Sequence, residues 1–301
     1  MTILFTIFGT LLVVVGLQDL FHTLFHPAAR GDISDWMALR IWRIFRRIPR
    51  ALGFAGPIAF VAIVLFWGLS IVMGFALLYY PHLPREFTFA EGLNPANYAS
   101  AWGALQISLA SLITVSSGVY AKDQWLGLLM ALEAVLGFGL LTASISWILS
   151  IYPVVEHRRS VAQQATLLHF SEVNGIRSLD EISDPDLESV LLAFATQLIS
   201  HRNELTQFPI TYFFYEEDKE TALAGILPYL ADISHQSVAR GGAAAIAATT
   251  LGGAIDALLK VIARSFLNPE LKNPQEILSA YAEDQKRAPV RSPRTPQGAA
   301  A

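Results

Sequence analysis

The stretch Tyr98–Gly118, YASAWGALQISLASLITVSSG, decides how this chain is read. It is apolar enough for a bilayer, yet at about 1.5 Å of rise per residue it is too short to cross ~30 Å of hydrocarbon and return as two full helices. It ends in small hydroxylated residues and a glycine, Thr114-Val115-Ser116-Ser117-Gly118. The length predicts a half-helix over residues 98–113 that dips into the membrane and returns as extended chain over 114–118. Non-helical backbone is tolerated at that depth only where protein buries it or where it lines a water-filled cavity.

Working outward, residues 57–80 carry no charge, begin with Pro57 in the first helical turn and end in Tyr79-Tyr80 at an expected interface. Residues 125–152 hold one acid, Glu133, and are flanked by Trp125, Trp147 and Tyr152. Residues 1–26 form a further expected span, interrupted near its end by Gln18, Asp19 and His22. Met1 to Leu17 lacks the basic residues that open a signal peptide, so this segment reads as a retained helix. Arg30, Arg40, Arg43, Arg46, Arg47 and Arg50 lie in the 27–56 linker, and Arg158 and Arg159 follow the third span. The 81–98 linker offers only Arg85. Basic loops stay in the cytoplasm. The expected product is a multi-pass protein of the cell (inner) membrane, its N-terminus outside and its C-terminal domain cytoplasmic.

Composition agrees with a chain in two regimes. Of 301 residues, 53% are hydrophobic and 15% charged, against roughly 25% charged in soluble domains. The net charge of −4 argues against a nucleic-acid partner, and the lack of cysteine excludes disulfides and thiolate metal sites.

The order over residues 57–153 is span, outer linker, half-helix, loop, span. Within it stand Ser108-Leu109-Ala110-Ser111-Leu112-Ile113-Thr114-Val115, Leu132-Glu133-Ala134-Val135-Leu136-Gly137, and Leu140 to Trp147 followed by Ile151-Tyr152-Pro153. This arrangement resembles the two-helix pore module of the potassium channel superfamily, with one extra helix in front. The resemblance implies an all-α membrane protein with a helix–pore loop–helix module and a selectivity filter at Thr114, Val115, Ser116, Ser117 and Gly118. It makes Glu133 a brace behind the filter, bonded to loop backbone or to a serine, and Gly137 a gating hinge. It also implies a homotetramer, because one loop cannot surround an ion. Such a protein is not an enzyme and has no cofactor or catalytic residue; it passes monovalent cations, potassium foremost, down their gradient.

The departures lie in the filter. Against T-V-G-Y-G, Thr114, Val115 and Gly118 match, Ser116 replaces the first glycine, Ser117 replaces the aromatic, and Val119 stands where an aspartate is usual. A serine forced into the left-handed torsions of that glycine costs on the order of 1 kcal/mol per chain. The expectation is a relaxed filter. Its alternative is a non-conducting homologue acting as a membrane sensor or scaffold. For Gly137 and Gly139 the pattern leaves bending and close helix packing equally open.

Arg40, Arg43, Arg46 and Arg50 recur as in a voltage sensor, but a single span precedes them. An amphipathic helix on the cytoplasmic surface, capped near Ser34 and stopped by Pro49, is expected instead. Asp19, His22 and His26 share one helix face and are metal-ligand types. With no partner carboxylate elsewhere in the membrane, they are expected to satisfy local hydrogen bonds, and no metal is assigned.

Residues 154–267 read as a helical cytoplasmic domain. Leu187, Val190, Leu191, Phe194 and Leu198 form a helical stripe after Ser183-Asp184-Pro185, and Thr221–Ile233 forms a helix interrupted at Pro228. Gly241–Leu259 is apolar, but its Ala and Gly content, Asp256 and the basic Lys260 and Arg264 beyond it predict a packed helix rather than a fourth span. No G-x-G-x-x-G marks a nucleotide site, and the domain's ligand or partner is left open. Residues 268–301 read as a polar tail, largely disordered after Lys286.

Overall fold

The structure is a computed structural model and describes residues 2–25, 31–175 and 181–293. The helices are α1 (Thr2–Leu24), α2 (Asp32–Phe45), α3 (Ala55–Tyr79), α4 (Ala101–Leu112), α5 (Gln124–Val173), α6 (Asp184–Gln207), α7 (Leu223–Ser237), α8 (Gly242–Phe266) and α9 (Pro274–Asp284). Two three-residue strands, β1 (Phe87–Phe89) and β2 (Val119–Ala121), pair antiparallel. The chain divides into two compact units, Met1–Arg40 with Ile58–Ser150, and Ile41–Pro57 with Ile151–Ala301.

In the first unit α1 lies close against α3. A Cβ on Gly9 would meet the Gly74 carbonyl at 2.6 Å, and one on Gly74 would meet Val13 at 2.4 Å. Small residues permit that approach where apolar side chains gain nothing over lipid. Asp19, 6% exposed, accepts hydrogen bonds from the amides of Ile33 (3.0 Å) and Ser34 (3.3 Å), from the Ser34 hydroxyl and from Trp67 Nε1 (2.9 Å). The first amides of α2 therefore find their acceptor in α1. This corrects the expectation that Ser34 caps the helix: α2 begins at Asp32, and the Ser34 side chain serves Asp19.

α4 has 12 residues, about 18 Å, half a bilayer. It starts three residues later than expected because the Ser100 side chain accepts from the Gly103 amide (3.2 Å) and caps it. Core residues Ile71, Phe75, Phe87, Ile107 and Val119 pack α4 and the strand pair onto α3.

α5 was expected as a span over 125–152 with a soluble domain from 154. It runs unbroken through Pro153 to Val173. Proline removes one donor, and an exposed site in a 50-residue helix tolerates that loss.

In the second unit α6 packs along α8, which also contacts α7 and α9. Ser183 caps α6, and Leu187, Leu191 and Leu198 of the expected stripe are buried. α8 is long and apolar enough to cross a membrane, but its alanine-rich face, Ala244, Ala247, Ala248 and Leu251, is buried in contact with these helices. α7 was expected to break at Pro228 and instead continues through it. Trp42, read as part of a surface helix, is 2% exposed and donates to Asp284 at 2.9 Å. Arg46 and Tyr212 reach the same carboxylate at 2.7 Å each. An arginine expected to face lipid headgroups is thereby committed to α9.

The tail is also corrected. α9 occupies Pro274–Asp284, and beyond it Val290 N donates to the Gly225 carbonyl (2.8 Å), Arg291 pairs with Asp232 (3.1 Å) and Ser292 is 3% exposed. Residues 268–293 are ordered by these contacts, which local composition cannot announce.

Candidate functional site

α4 ends in a doubly bonded turn. The Thr114 amide reaches the Ser111 carbonyl at 3.0 Å and the Val115 amide reaches the Ala110 carbonyl at 2.8 Å, with Thr114 at φ +57°. This is the Schellman closure, whose left-handed residue is usually glycine. A β-branched residue there is strained by about 1–2 kcal/mol. Among the described residues the non-glycine positive φ angles fall at Thr114 and Lys286. The strain expected at Ser116 is thus located at Thr114, because ending the helix, not spacing a filter, demands the left-handed turn.

The serines also have a local task. Ser116 Oγ accepts from the Gly118 amide and Ser117 Oγ from the Val119 amide, each at 3.3 Å. Both are side-chain turns that bring the chain around. Gly118 follows at φ +71°, and its carbonyl accepts from Ala90 N at 2.8 Å. β2 then pairs with β1 in the register Phe89↔Val119 and Phe87↔Ala121. Val119 is 2% exposed: the position held by an aspartate in the resembled family is here an inward strand position. Thr114, Val115 and Ser116 remain exposed on the single chain.

Behind the loop, Glu133 is fully buried and accepts from the Tyr79 hydroxyl at 2.8 Å. Ser108 Oγ bonds the same carboxyl group and reaches the Val72 carbonyl at 2.8 Å. Of the two partners expected for Glu133, the serine is present. Tyr79, read from sequence only as an interface aromatic, is the partner that reading missed. At Gly137 a Cβ would lie 1.9 Å from the Leu112 carbonyl, whereas nothing lies within 4 Å of one at Gly139. α4 ends directly against Gly137, and α5 passes through both glycines without a break.

α5 leaves much of its surface uncovered. Only 6% of its apolar window is buried, against 44% for the window that contains α3. Leu132, Val135, Gly139, Thr142, Ser146 and Leu149, spaced alternately by three and four, are all exposed. Such a stripe spans about five turns, with small and hydroxylated residues at its middle.

Asp19 spends its carboxylate on the four bonds above, and His22 stacks edge-on to Phe21. His26 lies outside the described residues. Among those described, no group of three or more His, Cys, Asp or Glu is placed to hold a metal.

A second titratable group sits in the other unit. His157 Nδ1 bonds Glu204 at 2.8 Å, and His201, 1% exposed, lies 3.7 Å from the same carboxylate. Burial lowers the His201 pKa below its ordinary 6.5, partly offset by Glu204. Burial raises that of Glu204, but the two imidazoles outweigh it and hold the carboxyl below its ordinary 4.5. The folded unit therefore binds fewer protons than the unfolded chain once pH drops below 6.5. Stability should be full above that pH, decline below it through His201, and decline further below 4.5 through Glu204. Thermal unfolding followed from pH 8 to 5 (about neutral to mildly acid) checks this. His201→Gln is expected to flatten the profile in that window, and an unchanged slope would sink the assignment.

No protein-family model matches this chain, and no solved structure matches it. It is 23% identical over 230 residues to "Uncharacterized membrane protein YdjJ" of Bacillus subtilis (strain 168), a match that covers 74% of this chain and 66% of the relative. The chain thus spans just under two thirds of that relative's length. With its long apolar helices, the chain is a predominantly helical membrane protein.

Proposed function

We propose that this chain is the subunit of a potassium-channel-like pore, a homotetramer that passes monovalent cations passively with relaxed selectivity. Its N-terminus lies outside the cell membrane and its second unit in the cytoplasm, following the basic residues of the 27–56 linker and of Arg158 and Arg159. The observation that carries the reading is α4: a half-length helix followed by an exposed return, 114–118, pinned at its far end by the β1–β2 ribbon. The C-terminal end of such a helix carries partial negative charge that favours a cation. The bare face of α5 gives a second copy something to cover, and Gly139, Thr142 and Ser146 suit a wet interior better than lipid. The runner-up, a non-conducting homologue serving as sensor or scaffold, draws on the same loop. Ser116 lacks the left-handed torsion of the glycine it replaces, and both serine hydroxyls are engaged by backbone amides.

Cation flux into liposomes containing the purified protein separates the two. Potassium, sodium and caesium are all expected to pass, with discrimination sharpened in Ser116→Gly combined with Ser117→Tyr. Absence of flux in both proteins, with tetramers demonstrated in the membrane, overturns conduction.

A further inference from the structure

We propose that the exposed face of residues 36–54 docks on a bilayer surface and takes anionic phospholipid headgroups in preference to zwitterionic ones, independently of the pore reading. The face is built by helical spacing. Trp36, Arg40, Arg43 and Arg47 recur at steps of three and four through α2 and the turn that follows it. Arg50 and Phe54 stand on a short 3-10 segment, Pro49–Phe54, that runs straight into α3. Trp36, Ile44, Ile48 and Phe54 are each more than half exposed, and Arg40, Arg43, Arg47 and Arg50 are exposed beside them.

The opposite face of α2 already has its cover, since Ser34, Ala38 and Trp42 are buried. The arginines divide in the same way. Arg46 is bound to Asp284 at 2.7 Å, whereas among the described residues Arg40, Arg43, Arg47 and Arg50 take part in no ion pair. The acids of α2, Asp32 and Asp35, stand in its first turn, more than one turn before Arg40. The Arg40 guanidinium lies 5.3 Å from the Trp36 ring centre, a contact that orients it without using its donors. Four permanent positive charges thus face outward with no acid to offset them.

Two observations make lipid the partner. Phosphate oxygens match guanidinium forks, but a soluble anion makes no use of large apolar side chains interleaved with the arginines. The boundary between headgroups and acyl chains uses both. The second observation is the place of the segment in the chain. Residues 25–31 alone separate α2 from α1, Pro49–Phe54 joins directly to α3, and α1 and α3 are both long and apolar enough to cross a membrane. Tethers this short at both ends keep the face within reach of headgroups. Phosphatidylcholine offers the same phosphate with its charge cancelled, so preference for phosphatidylglycerol isolates the contribution of the arginines. On the inner side of the same segment Trp42 and Arg46 are bonded to Asp284 of α9, so the headgroup contact also anchors the second unit.

The chain has no cysteine, so Ile44→Cys places one fluorescent label on this face of the full-length protein in phosphatidylcholine liposomes. A minor fraction of phosphatidylglycerol or phosphatidylcholine carrying a nitroxide near the headgroup serves as quencher. Quenching by the phosphatidylglycerol probe is expected to exceed that by the phosphatidylcholine probe about threefold. Parity is expected once Arg40→Gln, Arg43→Gln, Arg47→Gln and Arg50→Gln are combined, with the elution profile and thermal unfolding reporting that the variant is folded. Raising salt from about 0.05 M to about 0.5 M is expected to narrow the difference without any substitution. Equal quenching by the two probes at low salt, or a preference that survives in the folded quadruple variant, overturns the proposal. Quenching by neither probe also overturns it and points to an acidic protein partner instead.

Discussion

Glu133→Ala is expected to cost the first unit about 3–5 kcal/mol, the sum of a buried hydroxyl left without its acceptor (about 1–3) and the void left by the side chain (about 2). Truncation leaves the Tyr79 hydroxyl without its 2.8 Å acceptor and leaves Ser108 with the Val72 carbonyl alone. It also opens a void in a position that is fully buried. Those three positions lie on α3, α4 and α5, so the loss releases the packing that orients the loop. Glu133→Gln keeps the volume and an acceptor, and is expected to cost ~1 kcal/mol. Thermal unfolding and the elution profile in detergent read both variants. An alanine variant as stable as the wild type would show that the cluster does not hold α4 in place.

The comparison of sequence with structure turns on which forces are local. The long apolar helices at 57–80 and 125–152 were legible because exclusion of charge from hydrocarbon acts residue by residue. The half-helix was legible because length alone forbids a crossing. The left-handed turn was misplaced at Ser116: aligning five filter positions presumes the filter's backbone, whereas the two carbonyls that Thr114 and Val115 close upon belong to the end of α4. Pro153 follows the expected end of the third span and Pro228 was expected to interrupt its helix, yet each costs a single donor that the surrounding helix absorbs. The order of the tail depends on Asp232 and Gly225, some sixty residues upstream of Ser292 and Val290. Tyr79 was placed at the end of its span, but the carboxyl group that it serves lies 54 residues away.

Gly137 and Gly139 sit two residues apart in α5, and their alanine variants are expected to differ in sign. At Gly137 the new carbon would lie 1.9 Å from the Leu112 carbonyl, a backbone atom that no rotamer change can move. A normal contact is roughly 3.5 Å, so the end of α4 has to retreat by more than about 1 Å, and overpacking of this kind costs ~1–3 kcal/mol. That end carries Thr114, so the loop moves with it and cation flux is expected to fall along with stability. At Gly139 the added carbon meets open space, and alanine is expected to be neutral or to stabilise by up to ~1 kcal/mol through helix propensity. A hinge makes the opposite demand: either alanine would stiffen α5 and alter the opening of the proposed pore while leaving stability intact. Unfolding temperature and liposome flux measured on the same preparations decide between them. Gly137→Ala with unchanged stability and altered flux would assign the residue to bending; a loss confined to Gly137, with Gly139→Ala unaffected in both readouts, assigns it to the seat of the α4 end.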